Sequence, residues 1–298
     1  MPGPDPDRAL IERTLKRPVA EATRAAWGFQ NHTDLVTLAG GERVVLQRYR
    51  RREDAEYRLR VMRGLWRPAA DAGIAIPLIR DAELDSDPPW IVFDALPGSP
   101  VPGAGDFAPD GPHFAVIAQS MGELLSAFRG LPADGLGLND LWASPERLGE
   151  RARAWLGDLP DLSATERAGL TRLADRVPSL FAGRRAVLAH GDFAPVNVLV
   201  SGSSISGLLD FESVRLADPL FDPAWWAWSV RFSSTDVLAD AWPTFLAGAG
   251  IDANEPQLWA RIESLQALRM LELLAGGRSL DAEVRRIVLD RLRAAASQ

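Results

Sequence analysis

Between residues 19 and 50 apolar and polar positions alternate in three short runs, about 19–27, 33–38 and 43–49, with "GFQNH" and "AGGE" between them. A period of two belongs to half-buried strands, and Gly-Gly between two such runs is a hairpin signal. At 53–72 the period changes: Tyr57, Val61 and Leu65 fall on one stripe, which predicts an amphipathic helix. "GIAIPLI" and "PPWIVFDAL" predict two further strands, and "DRALIERTLKR" a short helix ahead of them all. Residues 1–96 therefore read as an antiparallel sheet with one main helix.

The segment 97–112, "PGSPVPGAGDFAPDGP", is dense in Pro and Gly and predicts a loop and a domain boundary. Beyond it the pattern is helical. Phe114, Ile117, Met121, Leu124 and Phe128 share a face. "SPERLGERARAWLGDL" opens with a Ser cap and a first-turn Pro. Ser163 with Glu166 forms the pattern of a capping box. Helices are also expected at 223–233, 234–248, 256–276 and 280–296, with a β-hairpin at 187–210 set among them. The prediction is an α+β chain of two lobes: a small sheet lobe, 1–96, and a larger, mostly helical lobe, 97–298.

Composition narrows the function classes. Hydrophobic residues make up 47% and charged residues 24%, enough apolar content for a sizeable core. No run of 18 apolar residues is present and the first 17 residues lack a signal-peptide pattern, so neither membrane nor secretion is expected. A cytoplasmic location follows. The absence of cysteine removes thiolate catalysis and Cys-based zinc sites. A net charge of −7 argues against a nucleic-acid partner. Lys16 is the only lysine, so the 32 other basic residues are arginines and a catalytic lysine is nearly ruled out. Sequence does not choose between a monomer and a homodimer.

The chemistry concentrates in "LAHGDFAPVNVLVSGSSISGLLDFES", residues 188–213. Asp192 and Asn197 have the D-x-x-x-x-N spacing of a kinase catalytic loop, where the Asp orients a hydroxyl proton and the Asn holds magnesium. Apolar "VLV" and "ISGLL" can return Asp210 to the side of Asn197, where a carboxylate and an amide oxygen can share one hard cation bridging phosphates. With "HGD" before it and "SVRLADPLFDPA" after, this stretch resembles the aminoglycoside phosphotransferase and choline kinase-like family, whose fold is protein-kinase-like. The resemblance implies an ATP- and Mg-dependent transfer of the γ-phosphate to a hydroxyl of a small molecule. It makes Asp192 the base, Asn197 and Asp210 the magnesium ligands and His190 a residue that fixes the loop; Asp218, Pro219 and Asp222 match the family's D-P-x-x-D tail, and Asp222 itself reads as a helix cap and loop anchor. The acceptor is aminoglycoside-like or another small hydroxylated compound, in antibiotic resistance or in metabolism. An inactive nucleotide-binding protein on the same fold is the alternative.

In a kinase-like sheet lobe a loop covers the phosphates and a cation stands on the third strand, held by an acid from the helix. Gly28, Asn31, His32 and Thr33 are the loop candidates. On the third strand, "RVVLQRYR", the family's Lys or Arg position is occupied by Gln47 with Arg48 next to it, and either could reach phosphate. Glu56, with Glu53 behind it, is the candidate acid. Phe93 would flank the nucleotide and the backbone of Asp94 to Leu96 would bond its base. Trp225, Trp226 and Trp228 crowd one helix and read as core packing, with a wall for a flat or sugar-like acceptor as the other reading. Asp236, Asp240, Asp252 and Glu255 are acids that could draw a cationic acceptor.

Overall fold

The computed structural model describes residues 6–24, 31–101, 112–233, 235–275, 280 and 282–296. Its first lobe is a five-stranded sheet, β1 (Val19–Arg24), β2 (His32–Leu38), β3 (Arg43–Arg48), β4 (Ile79–Glu83) and β5 (Trp90–Asp94), in the order β1-β2-β3-β5-β4. All neighbours run antiparallel. Helices α1 (Pro6–Leu15) and α2 (Arg52–Asp71) complete it.

The pleat gives the two faces of the sheet different tasks. Val36, Leu38, Val44, Leu46 and Val92 pack against Ile11 and Leu15 of α1. Leu35, Val45, Gln47 and Phe93 face the other way, into a cleft. The alternation in the sequence is thus real, and α1 decides which row is covered.

The second lobe holds α3 (Pro112–Arg129), α4 (Pro145–Gly157), α5 (Ala164–Leu180), α6 (Phe221–Ser233), α7 (Thr235–Gly248), α8 (Leu258–Ala275) and α9 (Ala282–Ala296). Helices α3 and α7 approach at backbone distance, because a Cβ on Gly122 would meet the Phe245 carbonyl at 2.3 Å and one on Gly248 the Gln119 carbonyl at 2.2 Å. The capping box of α5 forms as expected, Ser163 and Glu166 each accepting the other's backbone N–H. Ser144 precedes α4 without a side-chain cap bond.

Two expectations for strands need correcting. "GIAIPLI" is not a strand: Ile74 and Ile76 plug into the core from an extended loop, and β4 begins only at Ile79. The 187–210 hairpin is shorter than its span. Strand β7 (Val187–Ala189) pairs with β10 (Arg215–Ala217), while the hairpin is β8 (Val198–Ser201) with β9 (Ser204–Leu208), joined by β6 (Ser99–Pro100). The residues between β7 and β8 therefore form an open loop held between two small sheets. Among the described residues no helix is long and apolar enough to cross a membrane.

Candidate active site

A cleft of about 520 Å³ lies between the sheet and the second lobe, lined from above by Asn31, Thr33, Gln47 and Arg58 and from below by Asp192, Asn197, Asp210 and Glu212. The loop carrying Asp192 is fixed from beneath. Gly191 has φ +85°, and a Cβ there would meet the Ser213 carbonyl at 1.9 Å, so glycine is required. Asp222, 2% exposed, accepts from the backbone N–H groups of His190 (2.7 Å) and Gly191 (2.9 Å). Burial raises the Asp222 pKa, against the opposing pull of His190, those two N–H groups and Arg129. Asp222 anchors the loop from within the first turn of α6. It is not the cap of that helix, because it is the helix's second residue and both its carboxylate oxygens accept from the loop amides.

His190 is fully buried among Phe128, Phe193 and Phe211. Its Nε2 lies 2.8 Å from the Leu209 carbonyl. A carbonyl only accepts, so Nε2 carries the hydrogen. The Leu209 N–H in turn donates to the Asn197 carbonyl (2.8 Å), which brings the residue before Asp210 against Asn197. Asp210 itself has φ +63°, a left-handed conformation that Asp tolerates better than most residues.

The carboxylate of Asp192 is held at both oxygens. The indole Nε1 of Trp225 donates to Oδ1 at 2.6 Å. Asn197 Nδ2 donates to the Asp192 carbonyl at 2.8 Å and reaches Oδ2 at 3.2 Å. With its nitrogen turned to Asp192, the Asn197 amide presents its oxygen away from that residue. Asn197 and Asp210 thus offer an amide oxygen and a carboxylate, hard donors that suit Mg²⁺, an ion usually bound by one or two protein groups plus phosphates and water. Among the described residues no three His, Cys, Asp or Glu side chains form a closed metal cage.

Opposite these residues stands a cluster that sequence reasoning missed. Arg58 of α2 is 6% exposed. Its Nη1 donates to Glu212 Oε1 at 2.8 Å and lies 3.2 Å from Asp210 Oδ1, and its guanidinium lies 5.1 Å over the Phe93 ring. The same Glu212 oxygen accepts from Asn31 Nδ2 (2.7 Å) and Gln47 Nε2 (3.1 Å). Tyr49 fixes the Gln47 amide by donating to its Oε1 at 2.8 Å. Burial pulls the Arg58 pKa down, but the facing Tyr49, Glu212 and Asp210 reverse this and raise it, so the group is a permanent cation. The signals were present: Arg58 sits between Tyr57 and Val61 of the apolar stripe, and Glu212 stands two residues after Asp210.

Other candidates lie elsewhere. Arg48 shares the α1 side of the sheet with Val44 and Leu46, and its Nη1 is 3.9 Å from Asp34. The pleat places Gln47, not Arg48, on the cleft wall. His32 points out of the cleft beside Arg48, whereas Asn31 and Thr33 line it. Gly28 falls outside the described residues. Glu56 pairs with Arg52 at 2.6 Å near the surface and does not reach the cleft. Phe93, Asp94 and Leu96 line the cleft, but the Asp94 and Ala95 amides donate inward, to the carbonyls of Leu78 (2.8 Å) and Arg43 (3.1 Å). Trp226 is core, stacked on Phe245 at 3.9 Å, as expected; Trp225 also reaches Asp192. Glu255 is engaged by Arg184 and Arg261, and Asp252 by its own turn.

The profile of the phosphotransferase enzyme family matches residues 21–265, a span that holds the cleft's sheet wall and Asp192, Asn197 and Asp210. An aminoglycoside 3'-phosphotransferase of Streptomyces fradiae is 30% identical over 152 residues, 49% of this chain and 55% of the relative, so the match spans about half of that protein. Among solved structures, the GDP complex of wild-type aminoglycoside 2'-phosphotransferase-IIIa has a TM-score of 0.76 at 17% identity, covering 97% of each chain. The macrolide 2'-phosphotransferase MphH from Brachybacterium faecium has 0.66 at 19% identity, covering 95% of this chain and 96% of that one. At such identities these two likenesses speak for the fold. The profile, running unbroken from the sheet through the Asp192 loop into α8, speaks for descent: the chain belongs to the phosphotransferase enzyme family.

Proposed function

We propose that the protein moves the γ-phosphate of a magnesium-bound purine nucleotide to a hydroxyl group of a small molecule. The observation that carries this is the convergence of Asp192, Asn197 and Asp210 on one cleft, with the Asp192 carboxylate fixed in orientation by Trp225 and Asn197. The nucleotide lies against the sheet lobe, residues 1–96, with its base between Val45, Phe93 and Leu96. Because the amides of Asp94 and Ala95 are already engaged, Leu96 supplies any amide donor for the base. The acceptor enters from the helical lobe, residues 97–298. Relatives solved with GDP, and with ADP and hygromycin B, support a purine nucleotide and a hydroxylated acceptor.

In this reading Asn197 and Asp210 hold Mg²⁺, which would neutralise phosphate charge and orient the γ-phosphate. Asp192 receives the acceptor's hydroxyl proton on Oδ2, the oxygen with the longer contact, while Trp225 keeps Oδ1 in place. The buried His190–Asp222 layer keeps the loop from shifting as the proton moves.

The test is nucleoside diphosphate release with magnesium across a panel of aminoglycosides, macrolides and smaller amino alcohols and sugars. Asp192→Ala should abolish turnover and leave nucleotide binding intact; an active Asp192→Ala enzyme refutes the assignment. Asp210→Ala should weaken binding of the magnesium–nucleotide complex. One observation favours a second reading, a nucleotide-binding protein without transferase activity: β3 places an uncharged Gln47 on the cleft wall. Nucleotide binding with a flat response over the whole panel would select it.

A further inference from the structure

We infer that Arg58, projecting from α2, is the cation that contacts the nucleotide's phosphates, with Glu212 as the carboxylate that aims it. The inference rests on the phosphotransfer reading and names a residue that the reading does not use.

Four carboxylates line the cleft, Asp94 at the base-binding end and Asp192, Asp210 and Glu212 at the other. Polyphosphate brings several more negative charges, so binding needs positive charge beyond the metal. Among the described residues lining the cleft, the cations are Arg43 and Arg58. Arg43 stands four residues from Gln47 along β3, roughly 13 Å away at strand rise, and next to Ala95 at the base-binding end. Arg48 is on the opposite face of the sheet, and Lys16 follows the last residue of α1. Arg58 alone of these is at the Asp210 end.

Its placement fits the task. A phosphate oxygen that shares a cation with Asp210 lies roughly 3–4 Å from that carboxylate. Arg58 Nη1 is 3.2 Å from the same carboxylate. The guanidinium and a phosphate held there would thus be neighbours of the same carboxylate. Its Nε–H is buried without a hydrogen-bond partner, so the protein contacts do not saturate the guanidinium's donors. Glu212 Oε1 collects Arg58, Asn31 and Gln47 into one rigid unit. In the usual kinase arrangement the strand carries the cation and the helix the acid. Here the helix carries the cation, the strand an amide, and the acid comes from the segment after Asp210.

Isothermal titration of the full-length protein with ATP and GTP in magnesium, and with adenosine and guanosine, tests this without turnover. The wild type should bind at least one triphosphate. Arg58→Met should bind that triphosphate 10- to 100-fold more weakly and the matching nucleoside unchanged, with Arg58→Lys between. If Arg58→Met does not fold, the paired variant Arg58→Gln with Glu212→Gln removes both charges together and is measured in its place. A triphosphate affinity equal to wild type, or an equal loss for nucleoside and triphosphate, overturns the inference and leaves the phosphotransfer reading standing. A wild type that binds no nucleotide overturns that reading, and the inference with it.

Discussion

Replacing Trp225 with Phe removes one interaction and keeps its surroundings. The indole Nε1 donates to Asp192 Oδ1 at 2.6 Å, a short bond to a carboxylate. The ring stacks on Trp228 with centroids 4.5 Å apart and an interplanar angle of 7°, and Arg269 lies 5.5 Å over its other side. A phenyl ring preserves both contacts and cannot donate. Charge-assisted hydrogen bonds contribute about 1.5–3 kcal/mol. If that energy orients the base, its loss lowers kcat by roughly 10- to 150-fold. Trp225 is not among the residues lining the nucleotide cleft, so the KM for nucleotide should stay within about twofold. The smaller ring should cost about 1 kcal/mol of stability, a melting shift of a few degrees in a chain this size. The assay is steady-state nucleoside diphosphate release with the best acceptor from the panel, or with water as the smallest hydroxyl. A kcat within twofold of wild type, or a loss seen wholly as nucleotide KM, would show that Trp225 only packs.

Two further predictions concern the frame around the site. Asp222→Ala strands the His190 and Gly191 N–H groups in the interior, at about 1–3 kcal/mol each. The urea midpoint should fall by an amount equivalent to about 2–6 kcal/mol with the slope unchanged, Asp222→Asn falling less; a change under about 0.5 kcal/mol rejects the anchoring role. Glu272 is held down to about 2 from the ordinary 4.5: burial alone would raise it, but Arg269 and Arg215 beside it more than compensate. A carboxylate depressed in the folded state stabilises above its unfolded pKa, and that contribution fades as pH falls from about 4.5 toward 2. Stability measured by denaturant between pH 6 and pH 2 should therefore fall more steeply in wild type than in Glu272→Gln, by on the order of 3 kcal/mol across the window. Parallel curves would exclude Glu272 as the source.

How much of this was legible depended on range. Helix periodicity, the capping box and the change of pattern after the Pro/Gly segment gave the two-lobed plan because each is set by neighbours a few residues apart. "GIAIPLI" misled because Ile74 and Ile76 are apolar for the core beneath the sheet, not for a ladder. The true strand, β4, escaped notice because it is an edge: Arg80, Asp81 and Glu83 face solvent and erase its alternation. In the Asp192 loop the signal is local: a six-residue D-x-x-x-x-N turn and a short hairpin bring Asn197 and Asp210 to the same cleft.

The cation problem was harder for a physical reason. Choosing between Gln47 and Arg48 requires knowing which face of β3 is covered, and that is decided by Ile11 of α1, more than thirty residues earlier. Choosing an acid on the helix requires its phase against the sheet. Glu53 and Glu56 lie off the buried side, while Arg58 lies on it with Ala55, Val61 and Met62. A charged residue on an apolar helix stripe must either be paired or be at a site, and Arg58 is both, because Glu212 reaches it from 154 positions away. No local pattern encodes that meeting. With Gln47 on the cleft wall, Arg48 on the other face of β3 and Lys16 after α1, a phosphate-binding cation at the Asp210 end has to be sought on another element, as the Arg58 proposal does.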